Sequence, residues 1–552
     1  MKTYQEMTLA ERQAEYAALC RTHQEQKALG LDLNMARGKP GREQLDMVME
    51  MYNIPLTADD FITDGIDARN YGYVAGIPIA RKLFADLLGC KPGQVIAGGN
   101  SSLELMFDAV SKAYTHGLLH SEKPWGKLDR VKWLCPVPGY DRHFKVTESF
   151  GMELIPVTMT ENGPDMDQVE RLIRDPEVRG MWNVPKYSNP TGIIYSDETI
   201  RRLAAMKPAA PDFMLMWDNA YCVHELEGDF VPFPDILSLC AEYGNADMVY
   251  EFASTSKITF PGAGIACGAV SEANVEYFKN LLNIQIISYD KMNQLRHVRY
   301  LKDKETTLAL MRRHAAILGP KFRTVENELD RHLAPCGIAR WSHPKGGYFV
   351  SLDAMPGTAK RTLELCRDAG VTMTAAGATF PYGVDPQDSN IRIAPSLPPI
   401  HELEQAIAIL CDCLRMAALE KLGVYRVVHN DVDDRAAAVH HGVELVPGTR
   451  AVVAAGHLAH RAVSGGGDHI APGGGGDGLA SGPQQGHVPH NDLAADAQLP
   501  GQDSGADGLL CFMEPGADPA PSLFGGHLRE PPFCFSPIIH HDGAGWQVFL
   551  PK

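Results

Sequence analysis

EFASTSKITFPGAG, residues 251–264, is the stretch whose chemistry decides how the rest of the chain is read. The run 247–252 is strand-like. It ends in small hydroxyl residues, then Lys257, then a turn rich in proline and glycine. Apolar sequence precedes the lysine, and Gly262 and Gly264 let backbone pass close to something flat or anionic. A lysine in such a pocket loses its proton at low cost and attacks a carbonyl as a free amine, forming a Schiff base. The competing reading is a strand-end lysine whose head reaches water. The rest of the chain decides between the two.

At 552 residues the chain is too long for one simple domain and has ample length for a large core. A net charge of −17 argues against binding nucleic acid or an anionic membrane. No apolar run approaches the length of a membrane span, and the N-terminus has no apolar signal core. The 12 cysteines are scattered without a CxxC pair, which fits reduced thiols in a cytoplasmic enzyme. No ligand cluster has metal-site spacing, so no metal is expected.

Thr8 and Glu11 form a capping box for an amphipathic helix reaching about residue 29. The loop 31–41, with Arg37, Gly38 and Lys39, reads as a ligand-meeting or partner-meeting segment, or as an irregular connector. Residues 95–102 run from strand through Gly98, Gly99, Asn100 and Ser101 into a helix at about 103–114. Free N–H groups and hydroxyls at a helix start make an anion cradle, although N-capping by Ser101 accounts for the same pattern. Strand-like runs recur at about 130–135, 153–157, 180–184, 213–217, 247–252 and 265–270, mostly with helical patterns between them. That alternation predicts an α/β domain with a mainly parallel sheet, and ligands of such sheets sit beyond the strands' carboxyl ends. The polar residues just past those ends are Tyr140, Asn189, Asp218, Tyr221 and Lys257.

From about 306 a long helix leads to β-like segments at 346–352 and 390–394 and a last helix at about 401–421, the pattern of a smaller α+β domain. The predicted division is an N-terminal helix and arm at 1–45 that joins the small domain, a large domain at 46–305, the small domain at 306–423, and a tail at 424–552. In the tail lysine vanishes except for Lys552, glycine and histidine rise, and hydrophobic periodicity is lost. It reads as low-complexity, disordered or out-of-frame sequence.

Pyridoxal phosphate chemistry demands a defined set of groups, and each has a candidate. A lysine must hold the aldehyde and shuttle the α-proton, which suits Lys257. A carboxylate must keep the pyridine nitrogen protonated, and Asp218 follows an apolar strand. Tyr221 can donate to the phenolate oxygen, or be a core tyrosine. Asn189 lies in a sequence that otherwise reads as a turn. Tyr140 can stack on the ring, or pack in the core. Ser254 and Ser256 flank the lysine and can hold phosphate. Arg392, between Ile391 and Ile393, needs a carboxylate partner, either a protein acid or a substrate.

The order and spacing of SNPTG at 188–192, DNAY at 218–221, STSK at 254–257 and the arginine of IRI at 392 resemble the fold-type I aminotransferases. The resemblance covers roughly residues 5–423. It implies a seven-stranded, mainly parallel sheet in the large domain. It also implies Asn189 and Tyr221 at the phenolate oxygen, Asp218 at the ring nitrogen, Lys257 as the aldimine lysine, Tyr140 on the ring and Arg392 on the substrate α-carboxylate, with Gly38 also at the substrate. Gly99, Asn100, Ser101, Ser254 and Ser256 would hold the phosphate, and Tyr71 resembles the tyrosine that reaches the phosphate of a neighbouring subunit. MARGKP at 35–40, GGNSS at 98–102, SKITF at 256–260 and NQLRH at 293–297 are similar to the MocR-like aspartate aminotransferase branch. Where most relatives carry a phosphate-binding arginine, this chain has Ile265, so Lys291 or Arg296 is a candidate for the missing charge. The expected protein is a cytoplasmic, homodimeric aminotransferase that uses L-aspartate and 2-oxoglutarate, with Arg37, Lys39, Lys291 and Arg296 available to a distal carboxylate. A lyase or decarboxylase on the same cofactor, or a non-catalytic binding protein, is the alternative.

Overall fold

In the computed structural model the described residues are 2–424 and two short strands near the C-terminus, Ile538–His541 and Trp546–Phe549. Those two strands pair antiparallel with each other. The remainder of the tail, and with it the expectation of disorder or a frame shift, lies outside the described residues.

Residues 2–424 fold as a mixed α/β structure around one large sheet. Its strands, in chain order, are β1 (Val95–Ala97), β2 (Lys132–Val137), β3 (Glu153–Thr160), β4 (Gly163–Pro164), β5 (Val178–Asn183), β6 (Met214–Asp218), β7 (Val249–Ser254) and β8 (Ala266–Ala269). Across the sheet they run β1-β8-β7-β6-β5-β2-β3-β4. Neighbours from β7 through β3 are parallel. β8 is antiparallel to both its neighbours, and the two-residue β4 is an antiparallel edge to β3. Helices cover both faces, so the central strands are apolar along their whole length. In β6, Leu215 and Trp217 enter one apolar cluster while Met214 and Met216 enter the cluster on the opposite face. The alternation of side chains along a strand requires this division.

A second layer holds the antiparallel strands β9 (Ala339–Trp341), β10 (Val350–Ala354) and β11 (Asn390–Ile393). Its core combines Val350 and Ile393 with Leu19 of the Leu9–Ala28 helix, Val325 of Lys304–His332 and Leu410 of Ile400–Lys421. Tyr4, Leu33 and Met35 join the same cluster, and Leu33–Asn34 pairs in parallel with Val371–Thr372. These contacts carry the 36–39 loop to the boundary between the two layers. Thr8 and Glu11 form the expected capping box, with Thr8 N–H donating to the Glu11 carboxylate at 2.7 Å.

Two boundaries differ from expectation. β7 begins at Val249 instead of 247, because the Asp247 carboxylate accepts from Ser271 and His120 at the strand's entrance. The 346–352 segment is a strand only from Val350, since Gly347 turns with φ +85° and its N–H donates to the carbonyl of His224. Among the described residues, no helix is long and apolar enough to cross a membrane.

Candidate active site

Parallel register sets Asp218 beside Phe252 and Trp217 beside Asn183, so the carboxyl ends of β5, β6 and β7 lie abreast. Side chains just past those ends converge on a cavity of ≈ 570 Å³. Tyr140, Asn189, Asp218, Tyr221 and Lys257 line it from the large-sheet side, and Gly38, Phe349 and Arg392 from the smaller layer.

Asp218 is buried and half satisfied. His143 Nε2 donates to its Oδ2 at 2.9 Å, and that imidazole is stacked on Trp182 with 4.4 Å between ring centroids. Its Oδ1 is buried without a hydrogen-bond partner. A buried carboxylate oxygen left in this state calls for a donor from something that enters the cavity. The Tyr140 ring stands edge-on to His143, and burial pushes its phenol up to about 12.

The Lys257 amine has neither a hydrogen bond nor an ion pair among the described residues. It sits 5.1 Å from the centre of the Tyr221 ring and 5.7 Å from that of Tyr348. Burial lowers its pKa, and the charge of Asp218 opposes that shift. Aromatic faces compensate a buried ammonium only in part, so the neutral, nucleophilic amine is favoured over that of a solvated lysine. Behind the amine, Tyr348 accepts from Gln44 Nε2 at 3.1 Å, and the same amide donates to His314 Nδ1 at 2.9 Å. His314 Nε2 donates to the carbonyl of Ile258 at 3.0 Å, closing a buried loop onto the residue after the lysine. Burial holds His314 at about 4, which keeps it neutral and its tautomer fixed.

Arg392 projects from β11 and is buried. Its Nη1 donates to Asp141 Oδ1 at 2.8 Å and to Asn189 Oδ1 at 3.4 Å, and its Nη2 reaches Thr374 Oγ1 at 3.4 Å. Of the two partners open to it from sequence, the protein acid is therefore present. The guanidinium lies over Phe349, 5.0 Å from the ring centre. A Cβ on Gly38 would come within 2.6 Å of that ring, so glycine there is a packing requirement. Arg37, Lys39 and Arg142 add exposed cations to the cavity wall.

A lysine amine and an unsatisfied carboxylate share this cavity with a buried arginine. The sequence model of the aspartate amino-transferase family matches residues 6–425. The chain belongs to that family. It is an aminotransferase of fold type I. An aspartate aminotransferase of Corynebacterium glutamicum is 48% identical over 400 residues, which is 72% of this chain and 93% of the relative. The crystal structure of an aspartate transaminase from the same species matches with a TM-score of 0.74 at 46% identity, covering 76% of this chain and 99% of that one. An α-aminoadipate aminotransferase from Thermus thermophilus, solved with N-(5′-phosphopyridoxyl)-L-leucine, has the same fold at 20% identity, with a TM-score of 0.57 over 71% of this chain and 93% of its own.

The residues expected at an aminotransferase phosphate adjoin Ser102 and Lys257, which line the cavity, and form its rim. Ser101 caps its helix, accepting from Glu104 N–H at 3.3 Å. Asn100 Nδ2 donates to the carbonyl of Gly262 at 3.3 Å, and the carbonyl of Gly99 accepts from Ala266 at 2.7 Å. The Ser254 hydroxyl donates to Ser256 at 3.0 Å. These residues form one rim, with the helix start tied to the turn after Lys257. Tyr71 is 75% exposed and is not among the residues that line this chain's cavity. Lys291 and Arg296 are not spare cations. Lys291 donates to the carbonyls of Asn70 and Gly72, and Arg296 lies 4.9 Å from the centre of the Tyr52 ring. Each cation thus has a partner within the chain, and neither lines the cavity.

Sequence reasoning missed His143, Asp141 and Tyr348. For His143 a signal existed: it lies three residues after Tyr140 on a helical segment, hence on the same side. Tyr348 is distant in sequence from the lysine it touches, and only the fold brings them together.

Proposed function

We propose that this aminotransferase moves the amino group of L-aspartate to 2-oxoglutarate, using pyridoxal 5′-phosphate bound in the Lys257 cavity. The observation that carries the cofactor is the buried, unpartnered Oδ1 of Asp218, facing the same cavity as an unpaired lysine amine. A protonated pyridine nitrogen is the donor that oxygen lacks. When bound, the cofactor supplies an electron sink for charge developing at the substrate α-carbon.

Each role then falls to a residue of this chain. Asp218, held by His143, keeps the ring nitrogen protonated. Asn189 and Tyr221 would hold the phenolate oxygen, and Tyr140 would lie against the ring. Lys257 would hold the cofactor through its amine and would be the group placed to carry the α-proton, with the faces of Tyr221 and Tyr348 keeping that amine in place. Arg392 receives the substrate α-carboxylate beside Gly38. Gly99, Asn100, Ser101, Ser254 and Ser256 grip the phosphate, joined by the partner subunit's Tyr71 in a cytoplasmic homodimer. The exposure of Tyr71 supports that assignment. Arg37, Lys39 and Arg142 favour a distal carboxylate, the feature that aspartate and 2-oxoglutarate share. A large domain at 46–305 and a small one built from 1–45 and 306–423 fit the apolar clusters in the main, although Leu310 and Met311 pack with the large sheet and Val184, Tyr187, Tyr221 and Leu226 with the smaller layer.

The test is a panel of amino donors with 2-oxoglutarate as acceptor, read by the cofactor's visible absorbance and by product analysis. Aspartate should bleach the lysine-bound band and give oxaloacetate fastest. Bleaching by alanine or an aromatic amino acid but not by aspartate would refute the donor. Borohydride reduction followed by peptide mapping should place the cofactor on Lys257, and a label on another lysine removes the site assignment.

A further inference from the structure

We propose that Asp141 is a resident counter-carboxylate for Arg392. It holds the guanidinium until a substrate carboxylate takes its place, and so it sets how tightly carboxylate ligands bind. The inference rests on Arg392 being the α-carboxylate site.

Asp141 and Arg392 reach each other from opposite sides of the cavity. Asp141 is the first residue of the Asp141–Ser149 helix on the large-sheet side, whereas Arg392 projects from β11. Their ion pair, at 2.8 Å, lies in the wall of the same cavity that holds Lys257. The remaining partners of Arg392, Asn189 and Thr374, are neutral and 3.4 Å away. Asp141 is thus the only anion that Arg392 bonds among the described residues. A substrate carboxylate arriving there meets a second negative charge, and two carboxylates on one guanidinium repel.

The two partners differ in what it costs to separate them. The Arg392 side chain is 6% exposed, so leaving it unpaired would strand a buried charge. The Asp141 side chain is 29% exposed and sits in a helix's first turn, where a carboxylate is favoured and water is at hand. Exposed Arg142 and Arg37 line the same cavity. Asp141 can therefore leave cheaply, but only a ligand that brings its own carboxylate can release it. The arrangement selects for carboxylates and lowers the affinity for all of them.

The test titrates the cofactor-loaded full chain with succinate, a dicarboxylate that lacks an amine, and follows the cofactor's absorbance. The chains compared are the parent, Asp141→Asn, Asp141→Ala and Arg392→Ala. The asparagine keeps the shape and acceptor oxygen of the aspartate but removes its charge. Asp141→Asn should lower the succinate Kd about two- to fivefold, the range of a partly exposed ion pair. The KM for aspartate should fall in parallel, with a smaller change in kcat. Asp141→Ala should move in the same direction. If both variants bind succinate as the parent does, or more weakly, Asp141 is an ordinary positioning residue and the inference is overturned while the Arg392 site stands. If Arg392→Ala binds succinate as tightly as the parent, the Arg392 site itself is wrong and the inference falls with it.

Discussion

One buried acid serves no step of the proposed chemistry, yet it borders the site. Glu251 on β7 accepts from Asn219 Nδ2 at 2.9 Å, and Asn219 follows Asp218 directly. The other oxygen of Glu251 is buried without a partner. Burial pushes the carboxyl up to about 8, against the hydrogen bond from Asn219, which pulls it down. The ordinary value is 4.5. Between those two values the folded chain holds a proton that the unfolded chain has released, so stability falls as pH rises. The slope from this group is about 1.4 kcal/mol per pH unit, absent below the lower value and again above the upper one. Glu251→Gln should remove that slope. Urea unfolding of parent and variant from pH 5 to pH 8, at equal cofactor loading, reads it directly. Identical slopes in the two proteins would mean that Glu251 does not titrate in this window.

The Lys291–Leu301 helix makes no contact with the cavity, yet it holds the turn that carries the lysine. Asn293 Nδ2 donates to the carbonyls of Ala263 and Gly264 at 3.1 and 3.0 Å. Gln294 accepts from Ile77 N–H at 3.0 Å and donates to the carbonyl of Ala97 at 3.1 Å, while His297 meets the Thr259 hydroxyl at 2.9 Å. Removing the Asn293 amide leaves two carbonyls without their donor, which costs about 1–3 kcal/mol. Asn293→Ala should therefore speed hydrogen exchange of the amides at 258–265 and leave β2 unchanged. Equal exchange at 258–265 would show that the turn holds its shape unaided. The NQLRH run was legible as a family phrase but not as a clasp, because its partners lie up to about two hundred residues away and are mostly backbone carbonyls with no sequence signature. For the same reason the sequence shows Lys291 and Arg296 as available cations but not the carbonyls and the Tyr52 ring that they meet. By contrast the β6 run and its polar end were plain, since an apolar strand stopping at Asp218 leaves that carboxylate at a sheet edge whatever the details of packing. Lys257 was legible for the same reason. The rim around Ser101 was only half legible, because a capping serine and a phosphate-holding serine have the same local sequence.

At the scale of the whole molecule, the described part of the cavity belongs to the first 424 residues. Among the described residues, those lining the cavity all lie between Ala36 and Arg392. What must also be kept is the support of β11. The Ile400–Lys421 helix supplies that support, with Leu403, Ile407, Leu410 and Leu414 fully buried in the smaller layer's core. Val424 is buried in the same cluster, and the carbonyl of Leu422 accepts from the Arg12 guanidinium at 3.3 Å. The end of that helix is therefore bonded to the start of the chain; a cut before Val424 exposes apolar surface, and one before Leu422 also removes one of the three carbonyls that Arg12 bonds. A chain stopping after Val424 should match the full chain in kcat, KM for aspartate and thermal midpoint. One stopping after Cys411 loses Leu414 and the helix end together, and should lose solubility, since deleting several buried aliphatic side chains costs more than a typical domain's net stability. Melting curves and steady-state rates of the two shortened chains beside the full one decide the matter. If the chain ending at Val424 binds cofactor but turns over slowly, residues beyond 424 contribute to catalysis, and a site confined to 36–392 is incomplete.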